Sequence, residues 1–185
     1  DSVVGGYVEG AYHVGGLVGD SDTCAISGSV SDADVFTQDD NVGGLVGYAA
    51  DGTTIINSRA TGEVTGDGYA GGFIGELYGS TIDNSFSTGD VNSSGGSVGG
   101  FAAYAEGNSQ ISRSYSESDV NANSQEYVGG FIGEAYNTFI SECFAIGDVT
   151  GGSYVGGFFG YSEDMDYDNT YARGNVWGSL DVGGY

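Results

Sequence analysis

Acidic residues recur in this sequence at regular intervals, and they are the first side chains that could support chemistry. Five consecutive repeats carry a carboxylate at the same place, namely Asp34, Glu63, Asp90, Asp119 and Asp148. If the repeats stack in register, neighbouring carboxylates lie roughly 5 Å apart, and each pair repels by about 1 kcal/mol in water. Such a row is either a solvated acidic face or a cation-binding row, with Ca²⁺ as the candidate ion. No Asp-x-Asp-x-Asp-Gly calcium loop is present.

Catalytic chemistry is not indicated by these acids or by the hydroxyl groups. A carboxylate pair that cleaves glycosides would form a unique cluster interrupting the repeat, whereas these acids recur in phase. The nearest irregularity, the turn from Asn121 to Glu126 in the longest repeat, contains one acid. A hydroxyl row begins at Ser29 and Ser58, but a nucleophilic serine needs a base, and His13 is the single histidine. We therefore expect hydroxyl ladders inside the fold and no catalytic residues.

An aromatic row is the second candidate binding feature. It consists of Phe86, Tyr115, Phe144 and Tyr171, and it runs beside the acids and several asparagines. Aromatic rings can stack on sugar rings while polar neighbours bind the hydroxyls. The row therefore predicts a surface that contacts a glycan or another partner.

Two smaller features involve modification and cysteine chemistry. Asn92 begins the sequence Asn-Ser-Ser, which matches the N-glycosylation acceptor pattern and falls in a predicted turn. Cys24 and Cys143 lie in the first and fifth repeats, so four stacked coils separate them by about 19 Å. That distance is far beyond the reach of a disulfide. We expect free thiols or intermolecular partners.

A repeat positions all of these residues. Segments of the form Val-Gly-Gly-(aromatic or Leu)-aliphatic-Gly begin at Val14, Val42, Ala70, Val98, Val128, Val155 and Val182. The intervals are 28, 28, 28, 30, 27 and 27 residues, so six repeats start at 14, 42, 70, 98, 128 and 155. Residues 1–13 and 182–185 match partial repeats, and we expect residues 1–185 to form a single repeat domain within a longer array or assembly.

Repeats of this length indicate a solenoid. The segments are short, rich in β-branched and aromatic residues, and separated by Gly, Asn, Asp and Ser turns. Glycine occupies 37 of 185 positions, which disfavours helices. The sequence predicts an all-β parallel β-helix with 27–30 residues per coil. Six coils at the usual strand spacing give a rod about 30 Å long.

Composition excludes several classes of protein. The 13% aromatic content argues against disorder, and the absence of proline argues against collagen. With 26 acids and 3 bases the net charge is −23, which disfavours nucleic acid and anionic membrane surfaces as partners. No apolar run is long enough to insert into a bilayer.

The recurring segment resembles the GLUG motif. The matching copies are Gly16-Leu17-Val18-Gly19, Gly44-Leu45-Val46-Gly47, Gly72-Phe73-Ile74-Gly75, Gly130-Phe131-Ile132-Gly133 and Gly157-Phe158-Phe159-Gly160. The fourth copy departs from the motif, with Ala102 and Ala103 in place of the aliphatic residue and the last glycine. The resemblance implies a bacterial or archaeal surface protein, adhesin-like, with no catalytic residues to carry over.

The Val-Gly-Gly strand carries two adjacent apolar rows. One row consists of Leu17, Leu45, Phe73, Phe101, Phe131 and Phe158. Because neighbouring residues of a strand point to opposite faces, one row fills the core and the other forms an exposed stripe suited to assembly. Alternatively, a bend at the glycines sends both rows inward.

These observations predict a non-enzymatic structural and adhesive protein, extracellular or at the cell surface, in a saline environment. The expected role is a filament subunit or a stalk segment, with other copies of the chain as partners through end-to-end or lateral contacts. The alternative is an adhesin module that binds a matrix or cell-surface glycan through the aromatic and acidic face. No cofactor is expected, apart from Ca²⁺ as a candidate ligand of the acidic row.

Overall fold

A computed structural model describes residues 1–184, and it confirms the all-β parallel solenoid. Every strand pair is parallel, and no helix occurs among the described residues. None of residues 1–184 therefore belongs to an apolar helix of membrane-spanning length. Each coil passes through four sheets, numbered here in the order in which a repeat meets them.

Sheets 1 to 3 each take one strand per coil. Sheet 1 contains Val14–Gly15, Val42–Gly43, Ala70–Gly71, Val98–Gly99, Glu126–Gly129, Ser153–Gly156 and Leu180–Gly183. Sheet 2 contains Val18–Asp22, Val46–Ala50, Ile74–Tyr78, Ala102–Glu106, Ile132–Tyr136 and Phe159–Glu163. Sheet 3 contains Ala25–Ser27, Thr54–Ile56, Thr81–Asp83, Gln110–Ser112, Phe139–Ser141 and Asp166–Asp168.

Sheet 4 has two columns of short strands joined by one long strand, Val30–Thr37, on which Val3–Gly10 also pairs. The first column contains Arg59–Ala60, Phe86–Ser87, Tyr115–Ser116, Phe144–Ala145 and Tyr171–Ala172. The second contains Val64–Gly66, Val91–Ser93, Val120–Asn121, Val149–Thr150 and Val176–Trp177. The strands pair so that equivalent residues of successive repeats lie opposite one another. Val64, for example, pairs with Val35 in the preceding coil and with Val91 in the following coil.

The core is built from like residues stacked on like residues. Phe73, Phe101, Phe131 and Phe158 lie one above the other, with ring centroids 4.7–4.8 Å apart. A second buried cluster is formed chiefly by the valines that close each repeat and open the next. Stacking at the strand spacing thus turns every apolar column into a continuous strip of core.

Of the two alternatives for the Val-Gly-Gly segment, the exposed stripe is wrong and the bend at the glycines is confirmed, because both apolar rows face inward. Leu45, Phe73, Phe101, Phe131 and Phe158 are at most 1% exposed, and Leu17 in the first coil is half-buried. Their neighbours in the other row also join the core cluster. The chain bends between sheets 1 and 2, at the second glycine and the residue after it, so consecutive side chains need not point to opposite faces.

Buried serines complete the backbone hydrogen bonding at the corner between sheets 3 and 4. The amide of Ser29 donates to Oγ of Ser58, and the pattern repeats from Ser58 to Ser85 and from Ser85 to Ser114, at 3.1–3.2 Å. Oγ of Ser58 in turn donates to the carbonyl oxygen of Ile56 at 2.9 Å. The hydroxyl ladder therefore has a structural role, because it satisfies amides that the corner would otherwise bury unpaired.

The glycines at the bend between sheets 1 and 2 allow neighbouring coils to approach closely. A Cβ atom on Gly72 would lie 2.2 Å from the carbonyl oxygen of Gly100 in the next coil. We expect Gly72→Ala to lower the free energy of unfolding by about 1–3 kcal/mol, since the coils must separate locally. Urea denaturation followed by circular dichroism measures the change.

Gly5→Ala is the matched control for this substitution. No atom lies within 4 Å of the position where its Cβ would be placed. We expect an effect within about 0.5 kcal/mol, as for other unconstrained surface sites. Equal destabilisation by both substitutions would show that close coil contact is not the reason for glycine at position 72.

Candidate functional site

The predicted acidic row is present as a stacked column on the surface of sheet 4. Asp34, Glu63, Asp90 and Asp119 are exposed, and Asp148 is half-buried. The carboxylate of Asp34 accepts the backbone amide of Glu63 at 3.0 Å, and that of Asp119 accepts the amide of Asp148 at 2.8 Å. These acids therefore bind the backbone of the following coil. Among residues 1–184 no three acidic, histidine or cysteine side chains are placed to hold a metal ion together.

The aromatic row is a ladder of parallel rings. The centroids of Phe86, Tyr115, Phe144 and Tyr171 are 4.8, 4.7 and 5.1 Å apart, and the ring planes differ by only 2–7°. Each inner ring is therefore covered on both faces by its neighbours. What the ladder presents laterally is ring edges, whereas stacking on a sugar requires a ring face.

The sequence analysis missed a second polar surface, on the outer face of sheet 2. There tyrosine and glutamate alternate along the last four strands and from one coil to the next. The pairs in successive strands are Glu76 and Tyr78, Tyr104 and Glu106, Glu134 and Tyr136, and Tyr161 and Glu163. We call these eight residues the tyrosine–glutamate checkerboard. Its signal in the sequence is Glu-x-Tyr in one repeat and Tyr-x-Glu in the next.

The checkerboard places a hydrogen-bond donor beside its carboxylates. The phenol of Tyr104 donates to Glu106 at 2.8 Å, and that of Tyr136 donates to Glu134 at 2.5 Å. Burial and the bond to Glu106 raise the pKa of Tyr104, while the bond to Glu134 is the main cause that raises the pKa of Tyr136. Both tyrosines therefore remain neutral donors well above neutral pH.

Residues in the turn before sheet 1 bind other carboxylates of this face. The amide Nδ2 of Asn41 donates to Glu76 at 2.6 Å, and Oγ of Ser97 donates to Glu134 at 2.8 Å. Burial raises the pKa of Glu76, and the bond from Asn41 partly opposes that shift. In the first coil the corresponding turn residue, His13, instead contacts an acid of its own coil, with Nδ1 3.1 Å from a carboxylate oxygen of Asp20.

Six tyrosines of this region form a connected set, which we call the tyrosine network. Going from ring to ring, its members are Tyr69, Tyr104, Tyr136, Tyr161, Tyr127 and Tyr154. The successive centroid separations are 5.5, 5.8, 5.7, 5.6 and 5.1 Å. These values lie within the range in which aromatic rings attract one another.

A cleft lies where the repeat is least regular. It has a volume of about 370 Å³ and lies between Tyr69 and Tyr127, with Ser97 at the coil between them. The longest repeat adds the turn at 121–126, whose Gln125 and Glu126 line the cleft. Nε2 of Gln125 donates to the carbonyl oxygen of Ser94 at 2.7 Å and thereby fixes this turn. Aromatic, hydroxyl and carboxylate groups thus converge on one concave surface.

The remaining predicted residues are engaged within the solenoid. Nδ2 of Asn92 donates to Glu63 at 2.7 Å and is half-buried. Both cysteines are free: Cys24 is exposed, and Cys143 is buried in the serine ladder. Burial raises the pKa of the Cys143 thiol to about 12. Cys143 therefore stays protonated and packs as a small core residue.

The stacked coils and their in-register ladders define the chain as a parallel β-solenoid repeat protein. The family model described as "The GLUG motif" matches residues 40–65 and 66–92, which confirms the resemblance seen in the sequence. The chain is also similar to halomucin of Haloquadratum walsbyi, at 36% identity over 69% of this chain. It spans 2% of the length of that relative. No solved structure matches the chain.

The bonds between tyrosine and glutamate predict a dependence of stability on alkaline pH. Unfolded tyrosine ionises near pH 10, whereas Tyr104 and Tyr136 hold their protons to higher pH in the folded chain. The free energy of unfolding should therefore be highest below pH 10 and fall as the pH rises above about 10. We expect Tyr104→Phe/Tyr136→Phe to show a shallower fall, measured by urea denaturation at a series of pH values. Tyr12→Phe is the control, and equal slopes in both variants would contradict the assignment.

Proposed function

We propose that the chain is a non-enzymatic structural segment of an extracellular or cell-surface protein, adapted to a saline environment. The observation that carries the proposal is the unbroken stacking of equivalent residues on every sheet of the solenoid. A shape that repeats along one axis extends in length without changing its cross-section. Such a shape suits a stalk or a filament.

The similarity to halomucin supports this proposal. The chain corresponds to 2% of that relative's length, which is the relation expected of one segment in a long repeat protein. The net charge of −23 supports the saline setting, since dissolved ions screen repulsion between stacked carboxylates. The acids recur in phase and bind backbone amides, which favours a structural role for them over a catalytic one.

The outermost described coils present strand edges on which further coils can pair. Leu180 and Val182 in the last coil are 65% and 47% exposed, and Val3 in the first is 76% exposed. In the inner coils the residues stacked on the Val182 column are buried. We propose that further coils continue the solenoid by parallel strand pairing, within one longer chain or between copies, with salt lowering the charge repulsion.

Electron microscopy and sedimentation at low and high salt test end-to-end stacking. We expect the particles to lengthen as salt is raised. Leu180→Asp should shorten them, because it places a charge in the end contact, whereas Ile146→Asp on the lateral surface should not. Uniform short particles at every salt concentration would rule out self-assembly of this segment. A flexible rather than rod-like particle would contradict the structural role itself.

A second candidate function is sugar binding at the cleft between Tyr69 and Tyr127. It is favoured by one observation, that the cleft coincides with the departure of the longest repeat from regular spacing. Its carboxylates would repel anionic sugars, so a neutral oligosaccharide is the ligand class that fits. The aromatic ladder fits this role less well, because neighbouring rings cover its faces.

A neutral glycan array followed by titration with each bound oligosaccharide tests this candidate. We expect Tyr69→Ala and Tyr127→Ala each to weaken binding about tenfold or more, equivalent to 1.4 kcal/mol. Tyr115→Ala in the aromatic ladder is the control and should bind as the parent chain does. Loss of binding in Tyr115→Ala alone would assign the glycan to the ladder, and absence of binding would reject the candidate.

A further inference from the structure

The tyrosine network brings together side chains of neighbouring coils, which are otherwise linked covalently only through the continuous backbone. Tyr104 contacts Tyr136 in the following coil, and Tyr136 contacts Tyr161 in the coil after that. We propose that this network is a site of oxidative cross-linking, in which two tyrosines on neighbouring coils become joined by a carbon–carbon bond between their rings. The proposal adds a covalent modification to the solenoid and does not depend on its assembly or on sugar binding.

The arrangement of the rings favours coupling within one chain. The five separations that join neighbouring coils are between 5.1 and 5.8 Å, so those ring edges lie close to van der Waals contact, and a sixth contact, between Tyr154 and Tyr161 within one coil, is 6.3 Å. Each of these five contacts joins one coil to the next, as in the stacked pair Tyr127 and Tyr154. The rings are half-buried or exposed, and an external oxidant can therefore reach them.

The carboxylates of the checkerboard complete the chemistry. Each phenol that reacts loses one electron and one proton, and the two resulting radicals couple at ring carbons next to the hydroxyls. Glu106, Glu134 and Glu163 accept hydrogen bonds from network phenols and are placed to receive the protons. The two ring hydrogens leave as protons when the coupled rings regain aromaticity, and the phenol oxygens recover theirs. The net loss is thus two electrons and two protons.

The oxidant is a haem peroxidase supplied with hydrogen peroxide, which is the chemical class required to remove single electrons from phenols. The two electrons and two protons reduce one hydrogen peroxide to two waters, so the reaction is balanced for each cross-link. The free cysteines do not provide an alternative covalent link, because Cys143 is buried and Cys24 lies in the first repeat.

The aromatic ladder is an internal comparison for the network. Its rings are equally close, but phenylalanine alternates with tyrosine, so Tyr115 lies between Phe86 and Phe144. Phenylalanine has no phenol to oxidise, and the two ladder tyrosines are not adjacent. The same solenoid therefore contains one aromatic column that can couple by this route and one that cannot.

The experiment treats the full chain with peroxidase and hydrogen peroxide at low protein concentration, with Cys24→Ser in every form. The variant Tyr104→Phe/Tyr127→Phe/Tyr161→Phe leaves no two phenols of the network in contact, because every contacting pair includes one of these three positions. The phenylalanine rings still pack in place of the tyrosine rings. The control Tyr12→Phe/Tyr115→Phe/Tyr171→Phe removes the same number of tyrosines elsewhere. Dityrosine fluorescence, intact mass and peptide mapping measure the product, and circular dichroism verifies folding.

We expect the parent chain and the control to form dityrosine within single chains, with two hydrogens lost per cross-link and an unfolding transition shifted to higher urea. The network variant should lose most of this signal. Equal yields in the two variants, no dityrosine in the parent, or cross-links only between chains would each overturn the proposal. If the triple variant does not fold, peptide mapping of the parent chain must place the links between neighbouring members of the network, such as Tyr104 and Tyr136, and links found only at tyrosines outside the network would equally refute the proposal.

Discussion

The spacing of parallel strands is the constraint on which the rest of this solenoid depends. Because each coil lies one strand separation from the next, every side chain has its equivalent in neighbouring repeats as its nearest long-range contact. Apolar columns gain from this arrangement and become continuous core, as the stack from Phe73 to Phe158 shows. The same spacing penalises any column of like charge. It also leaves no room for a side chain at Gly72, whose added Cβ would meet the next coil's backbone.

The chain accommodates its acids under this constraint in two different ways. On sheet 4 the acids stay in one column, and Asp34 and Asp119 bind the amide of the coil that follows. On sheet 2 the acids alternate with tyrosines, so Glu134 has a tyrosine rather than a carboxylate directly above and below it. The alternation on sheet 2 separates the carboxylates from one another and places a tyrosine hydroxyl, which can donate a hydrogen bond, next to them. A net charge of −23 is thereby distributed without stacking most carboxylates directly.

The sequence alone was sufficient to predict the fold, because the period of the repeat fixes which residues become neighbours. It thereby also predicted the stacked phenylalanine and serine columns. It placed the serine column inside the fold, but it left two orientations open for the apolar rows of the Val-Gly-Gly segment. The two adjacent rows, which begin at Leu17 and Val18, could either face opposite sides of a strand or both turn inward at a bend by the glycines, and the bend after Gly16 buries both. The period of the repeat determines which residues stack on one another along the solenoid axis. The backbone bends determine which of those residues point into the core of each coil.

The checkerboard was missed for a related reason. The checkerboard has a period of two repeats rather than one. Glu76 and Tyr104 occupy the same position in successive repeats but differ in residue type, so a search for the same type at each position does not connect them. Their significance appears only when adjacent columns are considered together, since Tyr104 and Glu106 exchange places with Glu134 and Tyr136. In the checkerboard, tyrosine alternates with glutamate in both directions, so tyrosines of neighbouring coils meet diagonally. In the aromatic ladder, tyrosine alternates with phenylalanine in a single column, so Phe144 separates Tyr115 from Tyr171. The partner that alternates with tyrosine therefore decides whether a stacked surface is inert packing or a connected set of oxidisable rings.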